Sequence, residues 1–141
     1  FVQLLGSQND MATIRLRTPV VFVHEFGHSF AGLADEYFSS EVAYQDFYNL
    51  KYEPWEPNIT TLVNFDAKWK DLLPANTPVP TPLDDAHKDK AGVFEGGGYI
   101  AKGIYRPMDH CMMRDYAPFC PACSRAILQM IDYFTDKPIK H

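Results

Sequence analysis

Two histidines four residues apart, His24 and His28, with Glu25 beside the first, give the pattern His-Glu-x-x-His inside the stretch VFVHEFGHSFAGLADEY. On a helix, residues four apart lie on one face about one turn apart, so both imidazoles can reach a single tetrahedral zinc ion. Glu25 then projects beside the metal, where it can take a proton from an activated water. The competing reading is an amphipathic helix that happens to carry polar residues. Two histidines directly after the apolar residues Val20, Val21, Phe22 and Val23 argue against it. Burying neutral imidazoles without partners is costly, and a shared metal would satisfy both.

A catalytic zinc takes three protein ligands and keeps one position open for water. Asp35, seven residues after His28, is the nearest candidate for the third. On a continued helix it would stand roughly 10 Å further along the axis, at about 1.5 Å per residue, and could not close the site. Gly32 resolves this, because glycine adopts the left-handed conformation that ends a helix and turns the chain back. The following loop can then carry the Asp35 carboxylate to the metal, with Glu36 as the reserve ligand.

The elements that must position these residues are legible in outline. Thr18 and Pro19 suit the first turn of a helix over residues 19–31, a hydroxyl cap followed by a residue that has no N–H to satisfy. Val20, Val23, Gly27, Phe30 and Ala31 recur three or four apart, which predicts one packed face. Upstream, Phe1, Val2, Gln3, Leu4 and Leu5 read as a strand, with residues 6–10 as its exit turn. Residues 39–89 are interrupted by Pro54, Pro57, Pro74, Pro78, Pro80 and Pro82, which predicts mostly loop with one short helix around residues 65–73. Residues 93–105 hold two apolar segments around Gly96, Gly97 and Gly98, either a hairpin or an irregular glycine loop. Beyond Pro118, Ala122, Cys123, Ala126, Ile127, Met130, Ile131 and Phe134 keep helical spacing, predicting a last helix that ends before Pro138.

A chain of 141 residues has room for one domain with a real core. Its net charge of -5, without a basic stripe, excludes a general nucleic-acid binder. The longest apolar run, residues 19–23, is far shorter than the roughly 20 residues that span a bilayer, so no membrane span is expected. The chain opens inside a strand pattern without an initiator methionine, so a portion of a longer protein is expected.

His24, Glu25, His28, Gly32 and Asp35 together resemble the extended zinc-binding consensus of the metzincin metallopeptidases. Here the glycine and the third ligand fall four and seven residues after the second histidine, one more than usual in that clan. Cys111, Met112, Met113 and Arg114, followed by Tyr116, resemble its methionine turn, with Met113 as the aligned methionine. Within the clan, HEFGHSFAGLADEY, EPWEPN, FEGGGY, GIYRPM and FCPAC are most similar to the igalysins, the family of bacterial immunoglobulin A peptidases. That resemblance covers about residues 21–127. It implies an α/β (α+β) metzincin-like zinc peptidase domain, of which this chain is the C-terminal portion, with most of the sheet upstream. It further implies Zn2+ bound by His24, His28 and Asp35, and Glu25 as the general base of peptide hydrolysis. Tyr116 would donate a hydrogen bond to the oxyanion, with Tyr105 a weaker candidate. The parent would be a secreted, periplasmic or cell-surface bacterial endopeptidase, its extended protein substrate pairing with the edge strand Phe1 to Leu5.

In a secreted peptidase Cys111 is expected to form a disulfide with Cys120 or Cys123; the other reading is a structural zinc on His110, Cys111, Cys120 and Cys123. Two further functional readings compete with the main one. The first is a thermolysin-type metallopeptidase with Glu41, Glu53 or Glu56 as third ligand, although the proline-rich run after Phe47 leaves little room for the second helix it needs. The second is an inactive module that binds host protein or glycan, against which the intact Glu25 speaks.

Overall fold

The computed structural model describes residues 10–38 and 46–135. Within them the chain is a mixed α/β arrangement: helix α1 (Asp10–Ala31), a long irregular segment, a hairpin of β1 (Phe94–Gly97) and β2 (Ile100–Arg106), the one-turn helix α2 (Met112–Asp115) and helix α3 (Pro121–Phe134). The expected strand over residues 1–5 lies outside the described residues.

Helix α1 begins nine residues earlier than Thr18 and Pro19 predicted, and Pro19 lies inside it. The upstream segment contains strong helix formers, Met11, Ala12, Arg15, Leu16 and Arg17, and the helix continues through a proline that lacks an N–H bond and crowds the preceding turn. The predicted end holds. Gly32 has φ +62°, and its N–H bonds to the His28 carbonyl at 3.1 Å, the 5→1 bond of a left-handed helix cap. A β-carbon at Gly32 would come within 2.6 Å of the Trp55 ring. Trp55 is 77% exposed and can swing aside, so the backbone conformation sets the cost of a substitution. Gly32→Ala is expected to destabilise the protein by about 1–2 kcal/mol, read as a lowered Tm in thermal unfolding.

After the cap the chain runs alongside two other parts of the fold. Asn58 is fully buried and clamps Ala34 from both sides, accepting from its N–H at 2.7 Å and donating to its carbonyl at 2.9 Å. Glu36 N–H bonds to the Met113 carbonyl at 2.8 Å. Gly98 and Tyr99, at the tip of the hairpin, donate N–H bonds to the carbonyls of Asp35 (2.8 Å) and Tyr37 (3.0 Å). Residues 34–38 therefore lie as a strut between the hairpin and α2. The glycine-rich stretch resolves as the hairpin alternative, antiparallel, with Phe94 opposite Arg106 and Glu95 opposite Tyr105, and an irregularity between Glu95 and Gly97 where Gly96 has φ +98°.

One core cluster joins Ala31, Leu33 and Trp69 to Cys111, Met113, Cys120, Ala122, Cys123 and Ala126. Residues 65–73 form two short 3-10 turns, Phe65–Ala67 and Lys70–Leu72, in place of one helix. Trp69 between them is buried, and its indole N–H bonds to the Gly92 carbonyl at 2.7 Å. The apolar stripe of α3 is buried only in its first half. Ala122, Cys123 and Ala126 are inside, whereas Ile131 and Phe134 are 40% and 66% exposed. A second, smaller cluster of Ala34, Ile59, Ile100 and Ile104 lies between the strut and the hairpin.

Candidate metal centre

The cap at Gly32 brings Asp35 back onto the last turns of α1. Its Oδ1 lies 3.0 Å from His24 Nε2 and 3.2 Å from His28 Nε2, and the two Nε2 atoms are 3.1 Å apart. Three donor atoms thus form a nearly equilateral triangle. Bonds of about 2.0–2.1 Å to a tetrahedral zinc put ligand atoms roughly 3.3 Å apart, close to these separations.

The tautomers follow from what the other ring nitrogens touch. His24 Nδ1 lies 2.8 Å from the Met112 carbonyl and His28 Nδ1 lies 2.6 Å from the Leu33 carbonyl. A carbonyl only accepts, so each Nδ1 carries the proton and each neutral Nε2 presents a lone pair. Two lone pairs then face a carboxylate oxygen that is buried and receives no hydrogen bond. That arrangement demands positive charge. Asp35, chiefly by accepting a hydrogen bond from the ring once it is protonated, raises the pKa of both imidazoles above the usual histidine value. Burial opposes ionisation of Asp35, yet pairing with His24 and His28 in their protonated forms, together with the hydrogen bond from Tyr99, holds its carboxyl well below the usual range. One divalent cation satisfies all three donors at once, which the protons available to this triangle cannot, because one proton serves one pair. The residues present fit zinc: two imidazoles oriented by backbone carbonyls and one carboxylate.

The rest of the setting holds these groups in place. The Tyr99 hydroxyl donates to Asp35 Oδ2, leaving Oδ1 for the triangle. Met113 is fully buried beneath α1, and a β-carbon at Gly27 would stand 2.8 Å from its Sδ, so the glycine between the two histidines admits the thioether. His24 and Asp35 are buried, but the His28 side chain is 30% exposed, which leaves the site open on one side. Glu25 is exposed on the same helix, near enough for its charge to favour the protonated form of His28. Tyr116 is 47% exposed, and its ring centroid is 5.5 Å from that of His24.

The remaining sequence candidates go elsewhere. Glu36 does not join the histidines; its carboxylate faces the cysteines, with Oε1 3.1 Å from Cys123 Sγ. Adjacent residues on an extended segment point to opposite sides, so Asp35 and Glu36 cannot both serve one centre. Glu53 accepts from Thr61 and from the Asn64 N–H, and Glu56 accepts from the Tyr48 hydroxyl, so neither is available to the histidines; Glu41 lies outside the described residues. Tyr105 is held in β2 by backbone bonds to Thr60. The expected disulfide is absent. All three cysteines are free, and Cys111 Sγ and Cys123 Sγ are 3.7 Å apart, against about 2.05 Å for a bond. His110 is exposed and pairs with Asp115 and Asp109, so it does not complete a cysteine site.

Sequence reasoning missed Asn58, Tyr99 and the carbonyls of Leu33 and Met112. The local signals were the triple glycine before Tyr99, which permits close backbone approach, and the stretches EPWEPN and FEGGGY, which end on Asn58 and Tyr99.

Compared with models of protein families, the chain matches the family described as IgA Peptidase M64 over residues 6–91 and 83–131, most of its length. No curated protein matches it.

Proposed function

Because the chain belongs to the IgA peptidase M64 family, a family of metallopeptidases, we propose that it is the C-terminal, metal-carrying part of the metzincin-like catalytic domain of a zinc-dependent endopeptidase. The observation that carries this reading is the triangle of His24 Nε2, His28 Nε2 and Asp35 Oδ1, three donor atoms whose separations match the ligand spacing of zinc. Zinc held there supplies Lewis acidity, polarising a scissile carbonyl and making water a nucleophile near neutral pH.

The chain's own residues do the proton work. Glu25 accepts a proton from the attacking water and passes it to the leaving amine; its exposure on α1 beside the two ligands supports this role. Tyr116 donates a hydrogen bond to the developing oxyanion, a role supported by its exposed ring beside His24. Tyr99 orients Asp35, and the carbonyls of Met112 and Leu33 orient the imidazoles. The substrate is an extended segment of an extracellular protein. Among the described residues no helix is long and apolar enough to cross a membrane.

The test uses the full-length protein and a protein substrate. Removing metal with phenanthroline is expected to abolish cleavage, and adding back zinc after dialysis is expected to restore it. Cleavage that persists in metal-free protein would sink the reading.

A further inference from the structure

Peptide hydrolysis makes no use of a second cluster of buried titratable groups. Glu36, Cys111 and Cys123 are 0% exposed and Cys120 is 2% exposed. One donor atom from each lies within 4.8 Å of all the others. They converge from three places in the fold: the strut after the Gly32 cap, the residue preceding α2, and the first turn of α3.

The spacing matches a closed metal site. Two thiolates on tetrahedral zinc, with bonds of about 2.3 Å, stand roughly 3.8 Å apart, and a thiolate and a carboxylate oxygen roughly 3.5 Å. Cys111 Sγ and Cys123 Sγ are 3.7 Å apart, and Glu36 Oε1 lies 3.1 Å from Cys123 Sγ and 4.0 Å from Cys120 Sγ. Backbone N–H groups aim at the sulfurs, Cys120 N–H at Cys111 Sγ and Cys123 N–H at Cys120 Sγ, each at 3.4 Å. Amides directed at sulfur favour thiolates, as does the N-terminus of a 14-residue helix. The Glu36 carboxylate is satisfied only in part. Oε1 accepts from Asn58 Nδ2 at 2.9 Å, while Oε2 is buried with no hydrogen-bond partner among the described residues. A disulfide between Cys111 and Cys123 would leave Cys120 without a role and Glu36 Oε2 still buried without a hydrogen-bond partner. Arg106, itself fully buried, is close enough for Glu36 to favour its charged form, and so offsets the surplus negative charge of four anionic ligands.

We propose that Glu36, Cys111, Cys120 and Cys123 hold a structural zinc ion, four-coordinate and closed to water, separate from the centre on His24, His28 and Asp35. It ties the strut, the methionine turn and the last helix together. Asp35 and Glu36 are adjacent and face opposite ways, so the structural ion fixes the backbone that presents the Asp35 carboxylate. Glu36 is thus a positioning residue with a metal of its own.

The proposal is tested on full-length protein purified without chelator. X-ray absorption at the zinc edge is expected to show sulfur scattering at about 2.3 Å. Asp35→Ala should keep this sulfur-bound zinc, whereas Glu36→Gln and Cys123→Ser should lose it. Cobalt(II) loaded into the unmutated protein should give sulfur-to-cobalt charge-transfer absorption, a readout that stands even if Cys123→Ser fails to fold. Zinc bound only by nitrogen and oxygen, no charge-transfer band with cobalt, or a Cys111 disulfide in a non-reduced digest would each overturn it. Sulfur-bound zinc in a protein that lacks histidine-bound zinc would leave this site standing while the catalytic reading fell.

Discussion

Replacing Glu25 by Gln is expected to lower kcat/KM for peptide cleavage by roughly 10²–10⁴-fold, the usual worth of a positioned general base, while histidine-bound zinc stays in place. Glutamine keeps the length and helix compatibility of the side chain, and Glu25 is exposed, so packing is not disturbed. The lost function is proton acceptance. None of the donor atoms that face one another in the triangle belongs to Glu25, so metal content should not follow activity downward. The two measurements are needed together, since activity lost alongside zinc would mean that the substitution damaged the centre and would remove Glu25 from the role of base. A variant that cleaves at the parental rate would do so directly.

Asp35→Ala carries the second large effect, loss of the histidine-bound zinc. The substitution removes one corner of the triangle and leaves two bare Nε2 atoms 3.1 Å apart with no anion to balance a cation. It also strips the Tyr99 hydroxyl of its acceptor. Loss of an orienting partner typically costs 10–100-fold in metal affinity. Tyr99→Phe is therefore expected to fall in that range, and Asp35→Ala to exceed it. Competition against a zinc chelator of known affinity measures both. Equal affinities in Asp35→Ala and the parent would remove Asp35 from the ligand set, and Tyr99→Phe without effect would make its hydroxyl a passive neighbour.

The distribution of what was legible follows from how far each interaction reaches. His24, Glu25 and His28 are one helical turn, and a 3.6-residue period is written directly into spacing. Gly32 was legible for a similar reason: a left-handed cap needs glycine, its bond to the His28 carbonyl is local, and together they say where the helix stops and which carboxylate can return. The start of α1 was misread, because Thr18 and Pro19 make a sound first turn and local chemistry cannot tell that upstream helix formers carry the helix past them. The cysteines were misread too. Their chain spacing is compatible with a disulfide, and only the fold shows Glu36 entering among them in place of His110.

Sequence by itself determined the groups on offer: two imidazoles, a glutamate between them, a turn and a carboxylate. Tertiary structure alone decided how those groups are held. Asn58 grips Ala34 across 24 residues, Tyr99 reaches Asp35 across 64, and the Met112 carbonyl sets the tautomer of His24 across 88. Contacts between distant segments, many of them through backbone atoms that every residue shares, leave no period and no residue type to read. The same strut that sends Asp35 to one side sends Glu36 to the other, and that division exists only once residues 34–38 are laid between the hairpin and α2.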